Sequence, residues 1–322
     1  MKRLQNRIAE GGKTLPTAAA FGALVWLAVG LVQRQLWPQL ACFVASVYLL
    51  VELSNQNALL RVRSRMVSSA FILLSCQSCF LFPQLTGAAV QLSFVASFIL
   101  LFQTYQDQQS VGRVFYSFAA VGVASLFFVH ALWYVPALWV LMGTQLQSLS
   151  VRTWLASLIG LATPYWLALV WLMVPWGGDF AQWTFNLQPM AEHFSELAHL
   201  HYLLPPYLLE RGILLLFVLV LAAVGIMHFW SRSFEDKIRI RLLFGFFTTL
   251  TVLTAFFILA QPQHYDVLMR LLVLFASPLI AHVFTFTSSR LSSIFFFSAI
   301  AISVALTLLC LFLNSELGIH HL

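Results

Sequence analysis

Apolar residues in this chain run in long unbroken blocks, without the alternation that marks a half-buried strand. Eleven blocks stand out, at approximately 15–33, 37–53, 66–82, 88–102, 114–130, 131–146, 154–174, 212–231, 242–260, 271–287 and 293–313. Crossing the hydrocarbon core of a bilayer takes about 20 apolar residues, with a range of roughly 17–25. Backbone at that depth must satisfy its own hydrogen bonds, which selects helices. The pattern therefore predicts an all-α, polytopic transmembrane helix bundle of about 11 helices. The stretch 114–146 reads either as a hairpin turning near His130 and Ala131 or as one long kinked helix.

Charge decides between the two. With the N-terminus inside and a hairpin at 114–146, 14 of the 17 lysines and arginines fall on the inner side. They are Lys2, Arg3, Arg7, Lys13, Arg61, Arg63, Arg65, Arg113, Arg152, Arg232, Lys237, Arg239, Arg241 and Arg290. Only Arg34, Arg211 and Arg270 fall outside, whereas a single helix would give a split of 10 to 7. Positive residues concentrate in cytoplasmic loops, so the expected topology is N-in, C-out. Trp37, Trp154, Trp176, Trp183 and Trp230 lie near block ends, where indole rings favour the headgroup region.

Composition agrees. Hydrophobic residues make up 61% and charged residues 9%, against about 25% charged in soluble domains. One integral membrane domain spanning 1–322 is expected, with no cleavable leader. The net charge of +6 is spread over loops rather than gathered in a patch, which argues for anionic lipid and against nucleic acid. No phosphate-binding glycine loop or nucleotide motif is present, so no cofactor is predicted.

One gap is too long for a simple connection. Residues 175–211 form an extracytoplasmic loop on this topology, and 189–203 within it reads as an interfacial helix. Met190, Phe194, Leu197, Ala198 and Leu204 share one arc; Glu192, His193, Glu196 and His199 share the other. The bland reading is an amphipathic helix with a solvated polar face. The chemical reading makes Asp179, Glu192 and Glu196 candidate acid/base groups. The His-Glu-x-x-His pattern of zinc sites is missing, so no metal is assigned.

Arg211 and Arg270 lie at the outer ends of two blocks. A guanidinium at that depth can hold a lipid phosphate by paired hydrogen bonds; the plainer alternative is snorkelling to the interface. Cys76-Gln77-Ser78-Cys79 sits inside an apolar block, where small residues pack helices and a thiolate is costly. Few polar groups lie within the blocks. They include Gln77, His282 near Pro278, and Glu52, which is expected to pair with the loop bearing Arg61, Arg63 and Arg65.

Gly122-x-Ala124-x-Leu126, Pro136, Arg152-x-Trp154, Gly160 and Pro164, with Glu52-Leu53 and Asn57 before Arg61, resemble a family of multi-pass inner-membrane proteins from Bacteroidota. The resemblance covers roughly the first half of the chain and implies the bacterial inner membrane. More distantly, the order of small-residue helix, proline-bearing helix and basic loop is similar to polyprenol-dependent membrane glycosyltransferases and polysaccharide polymerases. Those enzymes carry a catalytic acid in the first outer loop, which here is Gln33-Arg34-Gln35-Leu36. On that likeness Asp179 or Glu192 would supply the base. The implied role is handling of a lipid-linked glycan or phospholipid at the outer leaflet in envelope assembly. The implied partners are membrane lipids, a polyprenyl-phosphate-linked substrate and other inner-membrane proteins. The competing expectation is a non-enzymatic complex subunit or a small-solute transporter with a polar cavity around His282 and Gln77.

Overall fold

A computed structural model describes residue 8 and residues 11–61, 64–173, 192–194, 208–287 and 290–319. Among them are eleven α-helices. In chain order these are α1 (Thr14–Ala28), α2 (Trp37–Asn57), α3 (Met66–Cys76), α4 (Leu85–Phe102), α5 (Val111–Phe127) and α6 (Tyr134–Thr144). They continue with α7 (Val151–Met173), α8 (Leu208–Arg232), α9 (Ile238–Ala260), α10 (Tyr265–Phe286) and α11 (Arg290–Ile319). No strand occurs among the described residues.

Six helices are long and apolar enough to cross a membrane, at Trp37–Asn57, Leu85–Phe102, Arg211–Glu235, Ile238–Ala260, Pro262–Phe286 and Arg290–Leu313. The chain is a multi-pass membrane protein. Its outward surface fits that class: Leu24, Tyr48, Met227, Phe256, Leu259 and Leu308 are each more than half exposed, in positions suited to lipid rather than water. Helices α3 and α6 have 11 residues each, about 16 Å of rise, and fall short of a full crossing on their own. The stretch 114–146 is broken between two helices. Phe128 is extended, and a 3-10 turn at Val129–Trp133 separates α5 from α6.

The chain divides into two compact units, Met1–Ala88 with Leu203–Leu322, and Ala89–Tyr202. In the first, α10 is the central helix, packed against α3, α8 and α9. Every residue from Leu268 to Thr285 is buried. A helix enclosed all round must be apolar all round, and this one nearly is. Its interior Pro278 cannot donate to the Leu274 carbonyl four residues back. The Ser277 hydroxyl donates to that carbonyl instead, at 3.0 Å, so the helix continues through the proline. Around this centre, α1 and α2 pack on α3, and Trp26 of α1 stacks on Phe82 with ring centroids 4.1 Å apart.

In the second unit the principal pairing is α5 with α7. Gly122, Gly160 and Pro164 make this seam. A Cβ on Gly122 would meet the Leu161 carbonyl oxygen at 2.7 Å and the Pro164 ring at 3.0 Å, and one on Gly160 would run into the Phe115 carbonyl. Glycine at these positions lets the two backbones touch, which is how membrane helices gain packing where no hydrophobic driving force separates them from lipid.

Candidate functional site at the two ends of the central helix

The residues between α3 and α4 form a break in helical structure. The backbone leaves helical geometry at Ser78, with φ −107° and ψ 43°, and only a short 3-10 turn, Cys79–Leu81, interrupts the irregular run from Gln77 to Gln84. Irregular backbone in a membrane protein persists where protein groups satisfy it. Here they come from three helices. Arg270 of α10 donates through Nη2 to the carbonyls of Leu81 and Gln84, and Gln39 of α2 donates to the Pro83 carbonyl at 3.0 Å. Trp26 of α1 covers Phe82. Gly87 permits this arrangement, because a Cβ there would stand 3.0 Å from both Cδ and Nε of Arg270.

Next to the break lies a charged group. Asp266 accepts a hydrogen bond from Gln84 Nε2 at 2.6 Å and pairs with Arg211 Nη1 at 3.2 Å. The Arg211 guanidinium also lies 5.5 Å from the ring centres of Phe80 and Tyr265, within cation–π range. Tyr265 donates its hydroxyl to the Arg211 carbonyl at 2.8 Å. The two arginines singled out from sequence thus belong to one neighbourhood with different surroundings. Arg211 keeps 24% of its side-chain surface exposed, and Arg270 is buried.

Buried donors without a protein partner gather on the same segment. They are Trp26 Nε1, Gln77 Nε2, Ser78 Oγ and Arg270 Nε, and the acceptors Gln77 Oε1 and Gln39 Oε1 are likewise unpartnered there. Buried polar atoms are normally satisfied, and each one left over asks for a reason. Gln77 and Ser78 lie in the break itself, while Trp26 and Arg270 pack directly on it.

About 18 Å along α10 from Arg270, at 1.5 Å per residue, a second ionisable group surrounds His282. Its side chain is 0% exposed, and Nε2 lies 3.2 Å from Oδ2 of Asp236, whose side chain is 1% exposed. Its Nδ1 lies 3.3 Å from Nδ1 of His228 on α8. The other Asp236 oxygen accepts from Arg61 Nε at 2.5 Å, and Arg61 also pairs with Glu235 at 3.0 Å. Glu235 in turn pairs with Arg232 at 2.8 Å. The hydrogen bond to Asp236, and then that to Glu235, hold Arg61 above the ordinary arginine range against the opposing effect of burial. Its guanidinium therefore stays charged throughout the pH range where histidines titrate.

Sequence reasoning placed Glu52 with the loop around Arg61. Glu52 accepts from Gln56, the Arg61 partners are Glu235 and Asp236, and Arg63 of that loop lies outside the described residues. Those two acids sit among Arg232, Lys237, Arg239 and Arg241, and reading that run as a cytoplasmic retention block passed over them. An acidic pair inside a basic loop was the available signal.

In the second unit, residues 192–194 are helical within the predicted interfacial helix. Glu192 and Phe194 are exposed. Phe194 stacks on Tyr165 with centroids 5.2 Å apart. His193, expected on the solvated arc, instead places Nε2 2.9 Å from the Ser125 carbonyl. Asp179, Glu196 and the rest of that helix lie outside the described residues. Among the described residues no three His, Cys, Asp or Glu side chains are grouped so as to hold a metal. Cys76 and Cys79 are buried, the former 3.8 Å from where a Cβ on Gly22 would stand, as helix packing requires. Compared with family models, curated proteins and solved structures, the chain matches none.

Proposed function

We propose that this protein works in the bacterial inner membrane, N-terminus inside, and holds the phosphate of a lipid at the outer leaflet during envelope assembly. The lipid is a phospholipid or a polyprenyl-phosphate-linked glycan intermediate. The carrying observation is the set of unpartnered buried donors on and against the 77–84 break, beside a partly exposed Arg211. Phosphate oxygens accept several hydrogen bonds at once, and a guanidinium matches them in pairs. Broken membrane helices are a recurrent place for anionic ligands. Arg211 has the exposure to reach a headgroup, whereas the remaining Arg270 donor, Nε, would act from within the protein. Asp179, Glu192 and Glu196 are the proposed acid/base groups if the bound lipid is also a substrate.

Asp266 competes with phosphate for Arg211, so the two variants at this pair should diverge. The protein is extracted in mild detergent and weighed by native mass spectrometry after incubation with phosphatidylglycerol or with undecaprenyl phosphate. Arg211→Gln is expected to lose at least about tenfold in lipid retention, the equivalent of about 1.4 kcal/mol, while Asp266→Asn retains or gains it. Preference for one lipid over the other separates the two sources of phosphate. Equal retention by the wild type and Arg211→Gln would reject the reading.

A second reading, a small-solute transporter, draws on the ionisable groups at both ends of the buried α10. Buried charges inside membrane helices commonly mark substrate or ion paths. Uptake that depends on His282 and Asp236 but not on Arg211 would favour it.

A further inference from the structure

Three side chains from different parts of the first unit meet in one line: His228 on α8, His282 on α10 and Asp236 after the 233–235 turn. The hydrogen count along that line is constrained. His282 Nε2 faces a carboxylate oxygen, so it carries a proton and donates. The two Nδ1 atoms face each other at 3.3 Å, and a hydrogen bond between two imidazole nitrogens needs one proton between them. With both rings neutral, His228 donates from Nδ1 and its own Nε2 is bare. His228 is also the least enclosed of the three, half-buried where His282 and Asp236 are buried.

We propose that His228, His282 and Asp236 constitute one proton-binding site, loaded through His228. A proton taken from water binds the bare Nε2 of His228. The Nδ1 proton of His228 then moves to Nδ1 of His282. The product is a His282 imidazolium against the Asp236 carboxylate, with His228 neutral and protonated on Nε2. One proton enters, one moves, and the net charge rises by one.

The surroundings are matched to this step. Before loading, Arg61 and Arg232 balance Asp236 and Glu235, so the group is neutral overall. Arg61 occupies one oxygen of Asp236 and leaves the other for His282. The remaining neighbours of the His282 ring are Phe229 of α8, Phe244 of α9 and Phe286 of α10, at centroid distances of 5.8, 4.9 and 4.7 Å. They are apolar and leave His228 as the imidazole's polar link away from Asp236. Loading also changes what holds α8, the 233–235 turn and α10 together, since the hydrogen bond from neutral His282 to the Asp236 carboxylate becomes an ion pair that shares its carboxylate with Arg61. The site is thereby a point at which proton concentration can act on the packing of these elements.

The test uses full-length protein, labelled with 15N-histidine and embedded in lipid nanodiscs. In wild type, a scalar coupling between the two Nδ1 atoms is expected, and the His228 and His282 signals should titrate together over one pH range. His228→Gln, at the half-buried position, should abolish the coupling and move the pH range of the His282 signal, with the fold retained by circular dichroism. Independent titration of the two histidines, or a His282 signal unmoved by His228→Gln, would overturn the proposal. So would tight zinc retention by wild type that His228→Gln removes, since the facing nitrogens would then be metal ligands.

Discussion

Asp236→Ala is expected to destabilise the first unit by about 2–4 kcal/mol. Removing one member of a buried ion pair costs about 3–5 kcal/mol when the remaining charge is left uncompensated. The lower range is appropriate because Arg61 keeps 32% of its side chain exposed and still has Glu235. His282 has no such escape, being 0% exposed, and its Nε2 donor would be left without an acceptor. Thermal unfolding in detergent measures the loss. Arg61→Gln should cost less than Asp236→Ala, and the double variant should cost less than the sum, because the two share one interaction. Additive costs would show that the network carries no coupling.

The second large effect lies in the other unit. Gly160→Ala is expected to destabilise it by about 2–3 kcal/mol, since overpacking a tight core typically costs about 1–3 kcal/mol. The added methyl would meet the Phe115 backbone carbonyl, which cannot swing aside as a long side chain can. Helices α5 and α7 would have to part along the seam that Gly122 and Pro164 also form. Gly112→Ala is the control, because a Cβ there meets nothing within 4 Å and alanine favours helix by about 1 kcal/mol over glycine. Limited proteolysis of the loop after α6 reports the separation. Equal behaviour of the two variants would mean that close backbone approach at Gly160 contributes nothing.

Much of the architecture was legible because lipid imposes a coarse rule. The eleven apolar blocks correspond to the eleven described helices, and the break within 114–146 falls at Phe128 and the Val129–Trp133 turn, where a turn near His130 and Ala131 is expected. Full crossings are harder to read. Blocks such as 66–82 look continuous in apolarity, yet α3 stops at Cys76 and the backbone leaves helical geometry at Ser78. Arg211 and Arg270 were found from their position at block ends, but sequence could not say that Asp266 would pair with Arg211, or that Gln84 would meet Asp266 and Arg270 from far along the chain. Asp236 and His228 escaped notice for the same reason. A residue's partner in a helix bundle is set by which faces meet, and the blocks here are apolar on every face. Asp179, Glu196 and most of the predicted interfacial helix fall outside the described residues.

The claim that the 77–84 break and Arg211 hold a lipid phosphate is tested most directly by locating a bound lipid. A phospholipid and a polyprenyl phosphate, each bearing a photoreactive group next to the phosphate, are incubated with the protein in nanodiscs, irradiated and mapped by peptide mass spectrometry. The account predicts adducts concentrated in residues 77–84 and around Arg211, diminished by excess unlabelled lipid and by Arg211→Gln. Adducts spread over the lipid-facing residues, such as Leu24, Met227 and Leu308, and insensitive to competition would contradict it.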